Sequence, residues 1–326
     1  MKEQAFVSLI MYLHNQESQV EGTLRAIDYF FASSFENYEI IIVDDYSTDQ
    51  SLSVAQSVAQ KMISHVTIVN LSRKHGVEQA MFAGLNKSIG DFVFEIDNFD
   101  LTFPADVLMK IYKKALQGYD IVSASSKQLS TKSKLFYKLI NKLSYLQLDL
   151  STEVARVVSR RALNAMLNLK EKVRYRKALY AFTGYPSTKL VVETTGVRPR
   201  SWNRENVSLA LDVIVSFSNI GLKAAHYMSL LFFLFSIVMI VYSLYNFIFN
   251  KNIVEGWTTL MILISTGFAG MFFIFGMLGE YLSRMLIELQ DRPSYSVRSV
   301  QMFKEASPEI KHEVMVSHSE AAATKV

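Results

Sequence analysis

Asp97 and Asp100 stand three residues apart at the end of an apolar run, Phe92-Val93-Phe94-Glu95-Ile96, in the segment Asp97-Asn98-Phe99-Asp100. A strand that ends in carboxylates offers hard oxygen ligands at the lip of a sheet. A Mg²⁺ or Mn²⁺ ion carrying a nucleotide diphosphate would sit there, with Asp97 and Asp100 as its ligands. A second acidic group follows another apolar run, in Val43-Asp44-Asp45-Tyr46-Ser47-Thr48-Asp49. Asp44 and Asp45 are suited to accept hydrogen bonds from a nucleobase or ribose, and Ser47, Thr48 and Asp49 to cap the next helix. Capping alone does not need two adjacent acids, which favours ligand binding. His14, His65, His75 and His226 do not cluster and read as structural or surface residues.

These acids require elements that bring them to one edge. Apolar runs predict strands at 5–12, 38–43, 66–71, 91–96 and 120–124, and helical periodicity predicts helices at 19–31, 51–62, 78–88 and 104–117. Such alternation implies an α/β domain with a mostly parallel sheet and helices on both faces. Ligands of such sheets bind beyond the C-terminal strand ends. Here those ends are His14-Asn15, Asp44-Asp45, Ser72-Arg73 and Asp97 to Asp100, all polar.

The rest of the chain is different in character. Residues 227–249 carry no charge over about 23 positions, enough to cross a bilayer as a helix, and a second uncharged run covers 256–279. The short link between them, with Lys251 and Glu255, implies a hairpin with both ends on one side. Lys223, Arg284, Arg292 and Arg298 put that side in the cytosol, and Tyr227, Tyr245, Trp257 and Tyr281 lie where interfacial aromatics belong. A pair of buried core helices is the alternative. Two amphipathic helices, 131–146 and 201–226, are expected in the headgroup layer, with packing on the sheet as the other reading. The N-terminus lacks the apolar core of a signal peptide, so the chain is expected to begin in the cytosol. The tail 284–326 is expected to be cytosolic and disordered from about 304. The 326 residues contain no cysteine, which excludes disulfides, thiolate metal sites and a cysteine nucleophile. The net charge of +4 is too mild to argue for nucleic acid.

Val43 to Asp49 resembles the Val-Asp-Asp-Gly-Ser-Thr-Asp signature of family-2 glycosyltransferases with the GT-A (Rossmann-like) fold. The stretch from Leu71 to Gly76, the helix around Ala80 to Leu85, and Gly90-Asp91 resemble the family's approach to its metal motif. Phe136 to Asn141 and Asp212 to Ser218 resemble its two interface helices, and Gly279-Glu280-Tyr281-Leu282 with Arg292-Pro293 resembles the end of its membrane hairpin. The likeness runs from residue 5 to about 300 and is closest to the polyprenyl-phosphate branch, similar to dolichol-phosphate mannose synthases and bactoprenol glucosyltransferases.

The resemblance implies transfer of a sugar from a nucleotide-diphosphate donor to undecaprenyl phosphate, aided by Mg²⁺ or Mn²⁺. It implies a bacterial inner-membrane location with two spans, a role in envelope polysaccharide or O-antigen synthesis, and membrane lipid among its partners. A homo-oligomer is compatible with it. The implied donor nucleotide residues are Asn15, Gln16, Asp44, Asp45, Arg73 and Asp97. The implied catalytic residues are Asp97, Asp100, Arg156 and Glu153. Lys127, Lys132, Lys134, Arg198 and Arg200 would hold the acceptor phosphate. Phe99 stands where the family's second metal-motif acid belongs, and Val154 where a further Asp is usual. Three readings stay open: a transferase using Asp97 and Asp100, one working with little or no metal through basic residues, and a catalytically weakened homologue that binds lipid or a partner.

Overall fold

The structure, a computed structural model, describes residues 2–126, 153–169, 175–194, 256–289 and 295–303, with scattered positions between 227 and 245. The chain divides into two compact units. One comprises Met1–Leu139, Leu148–Ser201 and Pro293–Val326; the other comprises Ile140–Gln147 and Trp202–Arg292.

The first unit is built on one eight-stranded sheet. Its strands are β1 (Val7–Leu13), β2 (Tyr38–Asp44), β3 (His65–Leu71), β4 (Phe92–Ile96), β5 (Ile121–Ser126), β6 (Glu153–Ser159), β7 (Ser187–Val192) and β8 (Val297–Phe303). Their order across the sheet is β7-β5-β6-β4-β1-β2-β3-β8. The central strands β4, β1, β2 and β3 run parallel, while β6 and β8 run antiparallel to their neighbours. The parallel part has covered faces, and every residue of β1 is buried.

Helices α1 (Glu17–Ser34), α2 (Ser51–Ala59) and α4 (Asp106–Ala115) cover one face. The core there gathers alternate strand residues such as Leu9, Met11, Ile40, Ile42 and Phe94 around Phe31, Phe35 and Tyr112. The Phe35 and Tyr112 rings meet edge to face, with centroids 5.1 Å apart. Helix α3 (Val77–Leu85) covers the opposite face. A Cβ on Gly84 would come within 2.6 Å of the Ile10 methyl and 2.8 Å of a Val43 methyl, so glycine sets how closely α3 rests on the sheet. Helices α5 (Arg160–Leu167) and α6 (Arg176–Phe182) complete this unit.

Every expected strand and helix before residue 126 is present, with ends shifted by a few residues. Strands β6, β7 and β8 and helices α5 and α6 were not foreseen. The segment 297–303, expected only as tail, instead closes the far edge of the sheet beside β3.

In the second unit, α7 (Trp257–Leu289) is a single helix of 33 residues. The described positions from 227 to 245 are helical. The Phe232 ring lies so close to Gly270 that a Cβ there would meet it at 2.2 Å. The side chains of α7 are described only in part, and the first expected span only at scattered positions. Among the described residues no helix is long and apolar enough to cross a membrane. The two interface helices, 131–146 and 201–226, lie outside the described residues.

Candidate active site

Because β1 to β4 run parallel, their C-terminal ends share one edge, and the register sets Leu13 beside Asp44 and Asp44 beside Asn70. Both connections at this edge bend through unusual backbone. Asn15 and Tyr46 have φ of 50° and 60°, the left-handed region that side chains other than glycine's seldom occupy. The two turns are laced together. The Asn15 amide donates to Ser47 Oγ at 3.2 Å, and Asn15 Oδ1 accepts from the Thr48 amide at 2.8 Å. The Gln16 amide donates to Ser51 Oγ at 2.7 Å. Tyr46 stands 45% exposed at the lip of this turn.

The adjacent acids Asp44 and Asp45 do different work. Asp45 is fully buried and accepts from Tyr12 Oη, the His75 amide and the Gly76 amide at 3.1, 2.7 and 2.8 Å. It pins the β3–α3 connection to the end of β2. Asp44 accepts from Ser47 alone among the described residues, its amide lying at 3.3 Å. Burial pushes the Asp44 carboxyl above its ordinary value, with Ser47 only partly offsetting it. Beside it, His14 Nδ1 and Asn70 Oδ1 are buried without a hydrogen-bond partner among the described residues. A row of under-satisfied polar atoms at the carboxyl edge of a parallel sheet is a place for a polar ligand. Arg73 is exposed at the same edge.

His75 carries the loop contacts. Its Nδ1 lies 2.6 Å from the Arg73 carbonyl and its Nε2 accepts from the Ser296 amide at 3.2 Å, which together assign the neutral tautomer protonated at Nδ1.

A second cluster lies at the end of β4. Register places Glu95 opposite Arg156 of β6. Arg176, the first residue of α6, reaches three carboxylates. Its Nε donates to Glu78 of α3 at 3.0 Å, its Nη1 to Glu95, and its Nη2 to Asp97 at 2.6 Å. Arg156 pairs with Glu153 and lies over the Tyr180 ring at 4.7 Å, while Tyr180 donates from Oη to Glu95. Burial alone would raise the Asp97 and Glu153 carboxyls. The cations outweigh it and hold both below the ordinary range: Arg176, Lys177 and Arg156 at Asp97, Arg156 and Lys177 at Glu153. The Asp97 side chain keeps 41% of its surface open. Glu95, Asp97, Glu153, Arg156, Arg176 and Lys177 line one small pocket.

The structure therefore brings together three of the four expected catalytic residues, Asp97, Glu153 and Arg156. Asp100 does not join them. Phe99 is fully buried in the core below the sheet edge, its carbonyl accepting from Thr23 Oγ1 at 2.7 Å and its amide donating to Gln16 Oε1 at 3.4 Å. With Phe99 turned inward, Asp100 is exposed. The expected joint ligation by Asp97 and Asp100 thus does not fit these residues. One oxygen of Asp97 is taken by a fixed guanidinium, and among the described residues no three His, Asp or Glu side chains are grouped to hold a metal ion. Lys127, Lys132, Lys134, Arg198 and Arg200 lie outside the described residues.

Sequence reasoning missed Glu78, Glu95, Arg176 and Tyr180. Glu95 had a signal, as the one charge in a run otherwise destined for burial, where an ion needs a partner. Arg176 had none, since nothing in a basic stretch separates the one buried arginine from its solvated neighbours.

A family model described as Glycosyl transferase family 2 matches residues 8–176. An uncharacterized glycosyltransferase of Synechocystis sp. is 31% identical over 304 residues, covering 89% of this chain and 94% of that protein. A bactoprenol glucosyl transferase of Shigella phage SfX is 28% identical over 309 residues, covering 90% of this chain and 99% of that protein. Among solved structures, a mycobacterial protein superposes with a TM-score of 0.50 at 16% identity, over 66% of this chain and 76% of that one, a likeness of fold alone. The chain, with its parallel-centred GT-A-like sheet and polar carboxyl edge, belongs to glycosyl transferase family 2 and is a glycosyltransferase.

Proposed function

We propose that this chain moves a sugar from a nucleotide-diphosphate donor to a polyprenyl phosphate, such as undecaprenyl phosphate, at the bacterial inner membrane. The observation that carries the reading is that its similarity to bactoprenol glucosyl transferases extends over 90% of the chain, well past the sheet unit. In this reaction an acceptor phosphate oxygen bonds to the anomeric carbon, and the nucleoside diphosphate leaves with the electron pair of the broken C–O bond. The acceptor is already an anion and needs little base catalysis. The protein's task is to align the two phosphates and neutralise the leaving one.

Asp44, with Asn15, Gln16 and Asn70 around it, is the nucleoside end of the site. The cluster of Asp97, Glu153, Arg156 and Lys177 is the diphosphate and sugar end. The basic residues from 127 to 134 and at 198 and 200 would hold the acceptor phosphate. The second unit is the membrane anchor. Its described side chains expose Leu231, Val238, Phe268, Phe272 and Phe275, among others, and an apolar surface of that extent is stable in lipid and not in water. Product for an envelope polysaccharide or O-antigen follows from the same reading.

The test is transfer by the full chain from a panel of nucleotide sugars to undecaprenyl phosphate in detergent. Radiolabel entering the lipid phase with one donor is expected. No transfer from any donor, with nucleotide diphosphates still bound, would favour the weakened, partner-binding homologue that the buried Phe99 suggests.

A further inference from the structure

We propose that Arg176 takes the place of the cation expected beside Asp97, so that this chain binds its donor diphosphate without a divalent ion. The inference rests on the glycosyltransferase reading above.

The guanidinium cannot swing aside. Its backbone amide and Nε both donate to Glu78 Oε2 at 3.0 Å, Nη1 is held by Glu95, and Nη2 by Asp97 at 2.6 Å. It is 3% exposed, fixed from the α3, β4 and Asp97 sides at once. Asp97 in this arrangement is a clamp on a cation that the chain supplies itself. An ion arriving at its open oxygen would face Arg176, with Lys177 and Arg156 on the same pocket wall.

The partner carboxylate is also gone. Phe99 is tied at its amide to Gln16 and at its carbonyl to Thr23. Its ring fills the core, so the β4 end does not readily turn to bring Asp100 back towards Asp97. A strand end that has lost one ligand and bound the other to arginine is suited to phosphate through N–H donors, as arginine and lysine provide them. Arg176 supplies the fixed positive charge beside Asp97, and Lys177, partly exposed next to it, is the residue that meets the phosphates.

The test is calorimetric binding of UDP, GDP and dTDP to the full chain in detergent, in EDTA and again in Mn²⁺, with protein-bound Mn²⁺ followed by electron paramagnetic resonance. The expected result is one nucleotide bound with Kd equal within about twofold in the two buffers, and no protein-bound Mn²⁺ beyond that of the nucleotide alone. Lys177→Gln should weaken binding in EDTA by about tenfold, and Arg176→Gln at least as much where it folds. Asp97→Asn, which keeps an acceptor for Arg176, should weaken it by less than about threefold. Binding that is lost in EDTA, or a bound Mn²⁺ signal that Asp97→Asn abolishes, would overturn the inference and leave the transferase reading intact. Binding in neither buffer would overturn both.

Discussion

Arg176 donates from Nη2 to Asp97 Oδ1 at 2.6 Å, joining two residues 79 positions apart in sequence. The same guanidinium closes ion pairs with Glu78 and Glu95, so α3, β4 and α6 meet on one side chain. Removing it leaves Glu78 without this counter-charge and Glu95 with only the longer pair to Arg156 at 3.7 Å, and breaking buried pairs in this way costs about 3–5 kcal/mol. Arg176→Met should lower stability by that order in chemical denaturation. Adding Glu95→Gln to it should recover part of the loss, because one buried charge left under-compensated is then gone. If the double variant is no more stable than the single one, Glu95 is not a partner in the way the geometry indicates.

Asp44 and Asp45 call for opposite outcomes. Asp45 is saturated by internal donors, so Asp45→Ala should destabilise the fold by about 1–3 kcal/mol through the orphaned His75 and Gly76 amides. Asp44 is an acid whose folded pKa is raised by burial. For such a group the ionised form is held at a cost in the folded state. That cost is absent below the ordinary value of 3.8 and grows as pH rises through and above it. Asp44→Asn should therefore raise the melting temperature at neutral pH while weakening nucleotide binding. A variant that loses both stability and binding would mean that Asp44 is structural.

The acid limb of stability has the reverse sign. Asp97 and Glu153 titrate below their ordinary values of 3.8 and 4.5 because arginines favour their ionised forms. Their contribution is present above those values and is lost as pH falls through the depressed folded pKa values. Denaturation measured from pH 6 down to about pH 2 should show a steep loss below about pH 4 that Glu153→Gln makes shallower. An unchanged slope in that variant would show that the Arg156 pair does not couple to folding.

How much of this was written in the sequence depends on the physics of each part. Strands β1 to β4 were legible because both faces are buried and the chain must be apolar throughout. The edge position of Asp44 and Asp97 followed from the parallel order. The division of labour between Asp44 and Asp45 was not legible, because it depends on which carboxylate the His75 and Gly76 amides reach from a loop 30 residues away. The setting of Asp100 was not legible, because sequence spacing cannot tell that Phe99 turns inward and leaves Asp100 exposed. Strand β8 was missed since Val297 to Phe303 alternates weakly and pairs with β3 from over 200 positions away.

Tyr46 bears on the same edge. The resembling signature has glycine at this position, and Tyr46 adopts the left-handed φ of 60° that glycine tolerates freely. A tyrosine there costs about 1 kcal/mol relative to glycine. Tyr46→Gly should thus be stabilising by up to that amount in urea denaturation, less the entropy that glycine adds to the unfolded chain. A destabilised variant would mean that the ring makes contacts strong enough to outweigh the backbone strain.

The anchor can be tested through what the chain lacks. With no cysteine among its 326 residues, any introduced thiol reports on one position alone. Position 252 lies in the link between the two uncharged runs, and position 2 precedes the sheet. If the hairpin crosses the membrane with both ends in the cytosol, a membrane-impermeant maleimide added to intact spheroplasts should label Asn252→Cys and not Lys2→Cys, and lysis should open both to label. Labelling of both before lysis would place the link and the N-terminus on the same side. The apolar helices would then lie along the surface or pack as a core, and the acceptor would have to reach the strand ends without a spanning anchor.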